Sequence, residues 1–186
     1  MGNPKQHVEL FGKTFLERVL DTLEIAVSGT SSVLNPRLFV GREGDDRARA
    51  LVEARSGIWI INPRPEDGPL GSIHLALSHL PASAGFVLWP VDHPMVSSDT
   101  VQTILSAAGE ATESIIVPSD GIHRGHPSRF PAWARDELLA APLGQGARWI
   151  LQNHPDRIVH VLVKDPWITR NINTREALEE ATLWLK

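Results

Sequence analysis

The sequence predicts an α/β fold in which helices cover both faces of a mostly parallel sheet. Short apolar segments alternate along the chain with segments whose apolar residues recur at helical spacing. The short segments are apolar throughout, which is typical of strands that are buried on both faces. No internal repeat, low-complexity tract or linker interrupts this alternation. We therefore expect a single three-layer α/β/α domain over residues 1–186.

Each element follows from its local pattern. The first helix opens with a capping-box pattern, in which Thr14 is followed by Glu17. We predict helices at 14–26, 45–54, 71–80, 97–109, 132–141, 145–153 and 174–186. We predict strands at 37–41, 57–62, 86–92, 114–118 and 157–163, and a polar, glycine-containing loop from 118 to 131.

The composition excludes several classes of function. The net charge is −4 and no basic run occurs, which argues against a general nucleic-acid-binding protein. The chain has no cysteine, so disulfides, thiolate zinc sites and a cysteine nucleophile are excluded. No apolar run approaches the ~20 residues of a membrane span, and the N-terminus has no signal-peptide pattern. We expect a soluble cytoplasmic protein that binds neither nucleic acid nor membrane.

The segments that follow the strands are the candidate functional loops, because ligands of parallel sheets bind beyond the carboxyl ends of the strands. Asp92 ends the apolar segment 86–92, and its carboxylate could bind Mg²⁺, which prefers oxygen ligands. The alternative, which this fragment alone favours, is a capping or turn aspartate before Pro94. Near the last helix, Asn173 and Thr174 are both candidate caps. The amide oxygen of Asn173 could instead complete a metal site.

The loop at 118–131 combines cationic side chains with glycine. Such a loop could bring hydrogen-bond donors to an anionic group, and a solvated turn is the equal alternative. The basic side chains of this loop are His123, Arg124, His126 and Arg129.

Two further segments carry candidate functional groups. The glycine-containing stretch 68–77 supplies backbone N–H groups at a helix start, which could bind a base edge or a phosphate. The alternative there is a plain turn with Ser72 as the helix cap. Lys164 and Asp165, after the last strand, are interpreted as an exposed charged pair.

Together these segments resemble one family, the nucleotidyltransferases of the molybdenum cofactor cytidylyltransferase type, which are MobA-like NTP transferases. The resemblance covers nearly the whole chain, and its motifs occur in the family's order. These motifs are MGNPK, FGKTFLERVL, GPLGSIHLAL, VDHP, RGHPSRF and NINTREAL. Each motif alone is weak, but their order and spacing together make the match specific. The resemblance implies a Rossmann-like nucleotidyltransferase fold.

The resemblance also concerns the start of the chain. In the family a first strand leads into a nucleotide loop of the form LAAGxSxRMGxxK, and this chain begins at the methionine inside that motif. Gly2 and Lys5 match the end of the motif, so the resemblance implies that they bind nucleotide. We expect the first strand and the first half of the loop to be missing. Either the start is misassigned, which we favour, or the chain is a short, impaired relative.

The resemblance implies roles for individual residues. Lys5 would neutralise the NTP phosphates, while Asp92 would bind Mg²⁺ with Asn173 as the second ligand. Ser72 and the backbone of Gly71 would lie near the base. Many relatives have Asp-Ile-Asp-Thr where this chain has Asn-Ile-Asn-Thr, which removes negative charge from the metal site. The acceptor side, which holds the pterin phosphate in this family, would comprise Arg124, Gly125, His126 and Pro127.

The implied reaction is nucleotidyl transfer from CTP to molybdopterin. A phosphate oxygen of the acceptor attacks the α-phosphate and pyrophosphate leaves, with Mg²⁺ and Lys5 offsetting negative charge. The RGHP and MGxPK motifs favour the cytidylyl branch over the guanylyl branch, and a molybdoenzyme is the implied client. One alternative is another nucleotidyltransferase of this fold, using GTP or a sugar-phosphate acceptor. The other is a non-catalytic, cofactor-binding accessory protein.

Overall fold

The structure is a computed structural model that describes residues 4–28, 34–142 and 144–184. Gly2, which the resemblance implies in nucleotide binding, lies outside the described residues. Within these ranges, helices and strands alternate along the chain as the sequence predicts. The fold is therefore of the predicted α/β class.

The helices lie close to their predicted positions. None of those described is both long and apolar enough to cross a bilayer. In chain order they are α1 (Phe15–Ser28), α2 (Asp46–Glu53), α3 (Gly68–Ser78), α4 (Ser98–Glu110), α5 (Ala134–Ala140), α6 (Arg148–Asn153) and α7 (Arg175–Trp184).

All five predicted strands are present, and three short strands were not predicted. The predicted strands are β3 (Leu38–Gly41), β4 (Ile58–Ile61), β5 (Phe86–Leu88), β6 (Ile115–Ser119) and β8 (Ile158–Leu162). The additional strands are β1 (Glu9–Leu10), β2 (Lys13–Thr14) and β7 (Ser128–Phe130).

The described strands form two two-stranded sheets, of which β1–β2 is a hairpin, and one four-stranded sheet. β3 pairs with β4 in parallel, with Leu38 opposite Ile58. In the four-stranded sheet, whose order is β5-β7-β6-β8, β6 and β8 are parallel. β7 is antiparallel to both of its neighbours, so this sheet is mixed. Among the described residues, no strand joins β3 to β5.

β7 lies inside the segment 118–131, for which the sequence predicts a loop. Phe130 stands opposite Phe86, and their rings stack with centroids 5.2 Å apart. The Arg129 guanidinium donates to the carbonyls of Thr112 and Ser114 at 2.7 and 2.9 Å. Pairing with the two flanking strands makes this segment extended. A strand of three residues is too short for its alternation of apolar and polar side chains to be recognised in the sequence.

A small hairpin precedes α1. Its central residues, Phe11 and Gly12, have φ angles of 51° and 71°. Positive φ at both central positions is the type I′ geometry of two-residue hairpins, and glycine adopts it without steric cost. Thr14 then caps α1: its hydroxyl accepts from the N–H of Glu17 at 3.2 Å, and Glu17 Oε2 accepts from the N–H of Thr14 at 2.7 Å. The predicted capping box is therefore confirmed.

Three apolar clusters hold the elements together. One packs α1 against α4 and α7. A second fills the space between the four-stranded sheet and helices α3, α5 and α6, and a third joins α1 to α2. β6, at the centre, is buried along its whole length. Each fully buried large apolar side chain contributes roughly 1.5–3 kcal/mol to the stability of the folded protein. The loops beyond the strands are therefore attached to a stable core.

Candidate active site

Two residues predicted to be catalytic are in direct contact. Lys5 Nζ donates to Asp92 Oδ2 at 2.9 Å, which joins the N-terminal turn to the loop after β5. The Lys5 side chain is 44% exposed and that of Asp92 is 16% exposed. An ion pair of this kind is held weakly in water. Both groups can therefore exchange partners when an anionic ligand or a cation arrives.

The turn that carries Lys5 is anchored on α2 through Asp45. Gln6 Nε2 donates to Asp45 Oδ2, and His7 Nε2 contacts Asp45 Oδ1, each at 2.7 Å. Asp45 also caps α2 by accepting from the N–H of Ala48 at 3.2 Å. Burial by itself would raise the pKa of Asp45, but these hydrogen bonds outweigh it and lower the pKa. The Lys5 turn is thus held by a charged acceptor.

Asn173 lies next to Asp92 through the backbone. The N–H of Ile172 donates to the carbonyl of Asp92 at 2.8 Å, so the segment before α7 runs beside the loop after β5. Thr174, and not Asn173, caps α7, because Thr174 Oγ1 accepts from the N–H of Ala177 at 3.2 Å. The exposed Asn173 amide is therefore not used for capping. The two residues predicted as metal ligands lie on adjoining segments.

The donor set of Asp92 and Asn173 suits a hard divalent cation. A carboxylate and an amide supply the oxygen ligands that Mg²⁺ prefers. Mg²⁺ commonly keeps several waters and binds substrate phosphates alongside one or two protein ligands. Among the described residues, no group of three or more His, Asp or Glu could hold a metal ion. Two protein oxygens leave the other coordination positions of such an ion to water or to other ligands.

Three loops meet at the segment Asp165–Ile168, which we call the DPWI turn. The carbonyl of Trp167 lies 3.3 Å from His93 Nδ1, which belongs to the loop after β5. The carbonyl of Ile168 accepts from the N–H of His126, in the loop after β6, at 2.8 Å. The DPWI turn itself follows β8. It therefore fixes the loops of three strands relative to one another.

Asp165 is not the exposed residue that the sequence predicted. It is only 8% exposed, and its carboxylate accepts three hydrogen bonds. Oδ2 accepts from the N–H of Ser97 at 2.9 Å and from Thr100 Oγ1 at 2.8 Å, while Oδ1 accepts from the N–H of Trp167 at 2.9 Å. The prediction failed because all three donors come from the start of α4 and the next turn. Lys164, its neighbour, is exposed as predicted.

The segment Gly125–Pro127 packs against the DPWI turn. A Cβ on Gly125 would lie 2.5 Å from Ile168 Cβ, so this approach requires glycine. The His126 ring lies 4.9 Å from that of His93, centroid to centroid, and its Nδ1 is buried without a partner among the described residues. Burial, and then the neighbouring His93, lower the pKa of His126 to about 4. The acceptor-binding role of this segment stays a prediction.

Arg124 contacts a different part of the molecule. Its Nε donates to Nε2 of His160, on β8, at 2.9 Å, and both residues are exposed. They line an open depression of about 390 Å³ at the edge of the sheet, together with Ile122 and Leu162. The described hydrogen bonds therefore connect Arg124 to β8, while His126 is connected to the DPWI turn. A role for Arg124 in acceptor binding also stays a prediction.

The helix that carries Gly71 begins earlier than predicted. α3 starts at Gly68 instead of 71, and Pro69 suits its first turn because proline has no N–H to satisfy there. The free N–H groups of the helix start precede Gly71, so its own N–H is not among them. A Cβ at this position would lie 2.8 Å from Asp67 Cβ, so Gly71 permits close packing of the first turn. Its predicted backbone contact with nucleotide remains untested.

Ser72 belongs to a polar pair that the sequence did not reveal. Ser72 Oγ accepts from Nδ2 of Asn62, at the end of β4, at 3.1 Å. Asn62 is buried, and its Oδ1 accepts from the N–H of Arg64 at 2.9 Å. Asn62 could have been found by the signal that identified Asp92, namely a polar residue at the end of an apolar segment.

The described helices and strands define the class of this domain as α/β, and they bring Lys5 and Asp92 into contact beside the segment that carries Asn173. A model of the MobA-like NTP transferase domain matches residues 1–158. The chain belongs to this family, so the predicted family is confirmed at this level. The family does not distinguish the cytidylyl from the guanylyl branch.

Two characterised relatives share part of their length with the chain. The molybdenum cofactor guanylyltransferase of Photobacterium profundum is 33% identical over 123 residues, which cover 66% of this chain and 56% of that protein. The bifunctional protein GlmU of Neisseria meningitidis is 27% identical over 118 residues, which cover 63% of this chain and 24% of that protein. The chain thus spans about half of the first relative and about a quarter of the second.

Solved structures share the fold over almost the whole chain. Rv0371c from Mycobacterium tuberculosis has a TM-score of 0.80 at 19% identity, with 98% of this chain and 90% of that chain covered. Its complex with manganese has a TM-score of 0.76 at 22% identity and covers 98% and 93%. Molybdopterin-guanine dinucleotide biosynthesis protein A from Archaeoglobus fulgidus has a TM-score of 0.67 at 22% identity and covers 99% and 91%. At these identities the likeness establishes the fold.

Proposed function

We propose that this chain is the transferase domain of a molybdenum cofactor nucleotidyltransferase. A phosphate oxygen of molybdopterin attacks the α-phosphate of an NTP, the bond to the β-phosphate oxygen breaks, and pyrophosphate leaves. The contact between Lys5 and Asp92 carries the proposal, because it brings a phosphate-binding cation and a metal-binding carboxylate to one site. Membership of the MobA-like family and the guanylyltransferase relative support it.

Asp92 and Asn173 would hold Mg²⁺ in this reaction. When bound, the ion supplies charge stabilisation to the triphosphate oxygens. The manganese complex of the Mycobacterium tuberculosis neighbour supports a divalent ion in this fold. The hydrogen bond from the N–H of Ile172 to the carbonyl of Asp92 keeps the two ligand-bearing segments together. Their side chains can then present oxygens to the same small volume.

Lys5 would bind the triphosphate. Its side chain is 44% exposed, so Nζ can leave Asp92 and follow the phosphate oxygens as charge builds on pyrophosphate. The bonds from Gln6 and His7 to Asp45 keep the backbone of this turn in place during that exchange. Positioned charge of this kind typically accounts for 10²–10³ in rate, roughly 2.7–4 kcal/mol.

The acceptor needs no side-chain base for its activation, because a phosphate group already carries ionised oxygens at neutral pH. Burial lowers the pKa of His126 to about 4, so its ring is neutral at neutral pH. Together with Gly125 and Pro127 it forms a tightly packed wall next to the loop that carries Asp92. We propose that the pterin phosphate is held at this wall.

CTP is the nucleotide that we propose, on the basis of the RGHP and MGxPK motifs. GTP is the second candidate, because the relative that is 33% identical is a guanylyltransferase. Buried Asn62 and half-buried Ser72 offer an amide and a hydroxyl that could read the edge of either base.

The decisive experiment is a pyrophosphate-release assay with CTP or GTP, molybdopterin as acceptor, and Mg²⁺ or Mn²⁺. We expect release with CTP that requires both acceptor and metal, and its loss in Asp92→Asn. Faster release with GTP would change the base assignment, and release with a sugar phosphate instead of molybdopterin would change the acceptor. Folded protein that releases no pyrophosphate from any NTP would overturn the transferase proposal and favour an accessory protein that binds cofactor.

A further inference from the structure

We infer that Asp165 is a positioning residue for the metal site, an inference that rests on the proposed function. Asp165 touches neither proposed ligand. Its carboxylate instead binds the two segments that lead to them, because Ser97 lies just beyond Asp92 and Trp167 lies just before Asn173. It therefore sets the spacing of the loops that carry the metal ligands.

The Asp165 carboxylate is almost fully enclosed, and both of its oxygens accept hydrogen bonds. It is 8% exposed, and its three donors are the N–H groups of Ser97 and Trp167 and the hydroxyl of Thr100. A buried carboxylate is costly unless hydrogen bonds satisfy it. Ser97 is the N-cap of α4 and Thr100 lies in its first turn, and the positive dipole end of the helix favours a negative charge there. A carboxylate is therefore suited to this position, whereas the neutral amide of an asparagine is not.

The start of α4 is fixed by the same group of side chains. Ser97 Oγ caps the helix by accepting from the N–H of Thr100 at 3.2 Å, and it also lies 3.1 Å from Thr100 Oγ1. Because Thr100 Oγ1 donates to Asp165, the cap and the carboxylate form one network. The loop between β5 and α4, which carries Asp92, is therefore fixed at its far end by Asp165.

The other side of the network leads to Asn173. Asp165 Oδ1 holds the N–H of Trp167, which shapes the DPWI turn. The chain then continues to Ile172, which is fully buried. The N–H of Ile172 donates to the carbonyl of Asp92. The result is a closed ring of contacts from Asp92 through α4 and Asp165 to Asn173. Mutation of a residue that orients a metal ligand without touching the metal typically lowers metal affinity by 10–100-fold.

The test is Mn²⁺ binding, measured by electron paramagnetic resonance well below the unfolding temperature of each variant. We expect the Kd for Mn²⁺ to rise about tenfold in Asp165→Asn, within the range for such orienting residues. Asp99→Asn makes the same change at an exposed position in the first turn of α4 and should leave the Kd unchanged. Thr14→Ala removes the cap of α1 and serves as a control for destabilisation alone.

Each outcome decides the inference. Wild-type affinity in folded Asp165→Asn, or an equal loss of affinity in Thr14→Ala, would overturn it. If Asp165→Asn does not fold, Thr100→Val removes one donor from the network, and unchanged Mn²⁺ affinity in that variant would overturn the inference instead. Asp92→Asn separates the two proposals. If Asp92→Asn binds Mn²⁺ normally, the proposed metal site fails; if it loses binding and Asp165→Asn does not, only the role of Asp165 fails.

Discussion

Lys5 Nζ lies 2.9 Å from Asp92 Oδ2, a contact between residues 87 positions apart in sequence. The ammonium group stands beside the carboxylate that we propose as a metal ligand. A divalent ion that binds Asp92 competes with Lys5 for the same oxygen. The Lys5 ammonium group, once displaced, is available to bind phosphate. Binding of metal and of nucleotide should therefore favour each other.

Replacement of Asp92 by asparagine should abolish metal-dependent turnover. The change keeps the shape of the side chain but removes the charge that binds the ion, so we expect kcat/KM to fall by at least about 100-fold. Steady-state pyrophosphate release at saturating Mg²⁺ is the measurement. Asp99→Asn, at an exposed position on α4, should keep wild-type turnover. Full activity in Asp92→Asn would show that the metal lies elsewhere.

Lys5→Met should weaken binding of the NTP. A hydrogen bond from a charged donor contributes about 1.5–3 kcal/mol, which corresponds to roughly a 10–100-fold rise in Kd. The matched control is Lys13→Met, which removes an exposed lysine that pairs with Asp21 on α1. Calorimetric titration with a non-hydrolysable NTP should separate the two variants. Equal effects of both would argue that only net charge matters.

Asn173→Asp should tighten metal binding by about tenfold, because a second carboxylate raises the charge of the ligand set. Asn171→Asp places the same charge on the other side of buried Ile172 and tests whether charge nearby is sufficient. Mn²⁺ titration of both variants is the measurement. A similar gain in both would count against direct ligation by residue 173.

The buried His126 should make the protein less stable in mild acid. Its pKa of about 4 in the folded protein lies below the ordinary 6.5, so between these values the unfolded chain binds more protons. The free energy of unfolding should then fall as the pH decreases from about 6.5 to 4, by about 3 kcal/mol in total. Stability from this source is fully present above pH 6.5. Denaturant unfolding at several pH values measures the slope.

His126→Gln should flatten that slope between pH 5 and 6.5. His93 keeps a share of the effect, because burial also lowers its pKa and both rings lie at the same junction. Nuclear magnetic resonance of the imidazole rings gives a direct check. A His126 ring that titrates near 6.5 in the folded protein would contradict the prediction.

The regular elements could be predicted because their patterns are local. The apolar stripe of α1 and its Thr14–Glu17 cap are contained within a few turns of sequence, and the structure has both. β7 and the hairpin at Phe11 could not be predicted in this way. Their extended form depends on strand partners or on backbone angles that short segments do not reveal.

The candidate site was only partly predictable for a similar reason. Asp92 and Asn173 could be proposed because each follows a predicted strand and stands at a motif position of the family, although Asn173 replaces the aspartate of many relatives. Asp165 was misinterpreted because a charged residue beside lysine after a strand usually faces solvent. What buries it is the start of α4, whose donors lie 68 and 65 residues away in the chain. Contacts between distant segments leave no local pattern.

The DPWI turn has a consequence for folding during protein synthesis. A growing chain leaves the ribosome from its N-terminus, so Lys5 and Asp92 emerge long before Asp165 and Asn173. Until the later segment has been made and has docked, α4 lacks its carboxylate partner and Asp92 lacks its neighbouring amide. Unfinished chains should therefore bind neither nucleotide nor metal, and binding should begin only when the domain is complete.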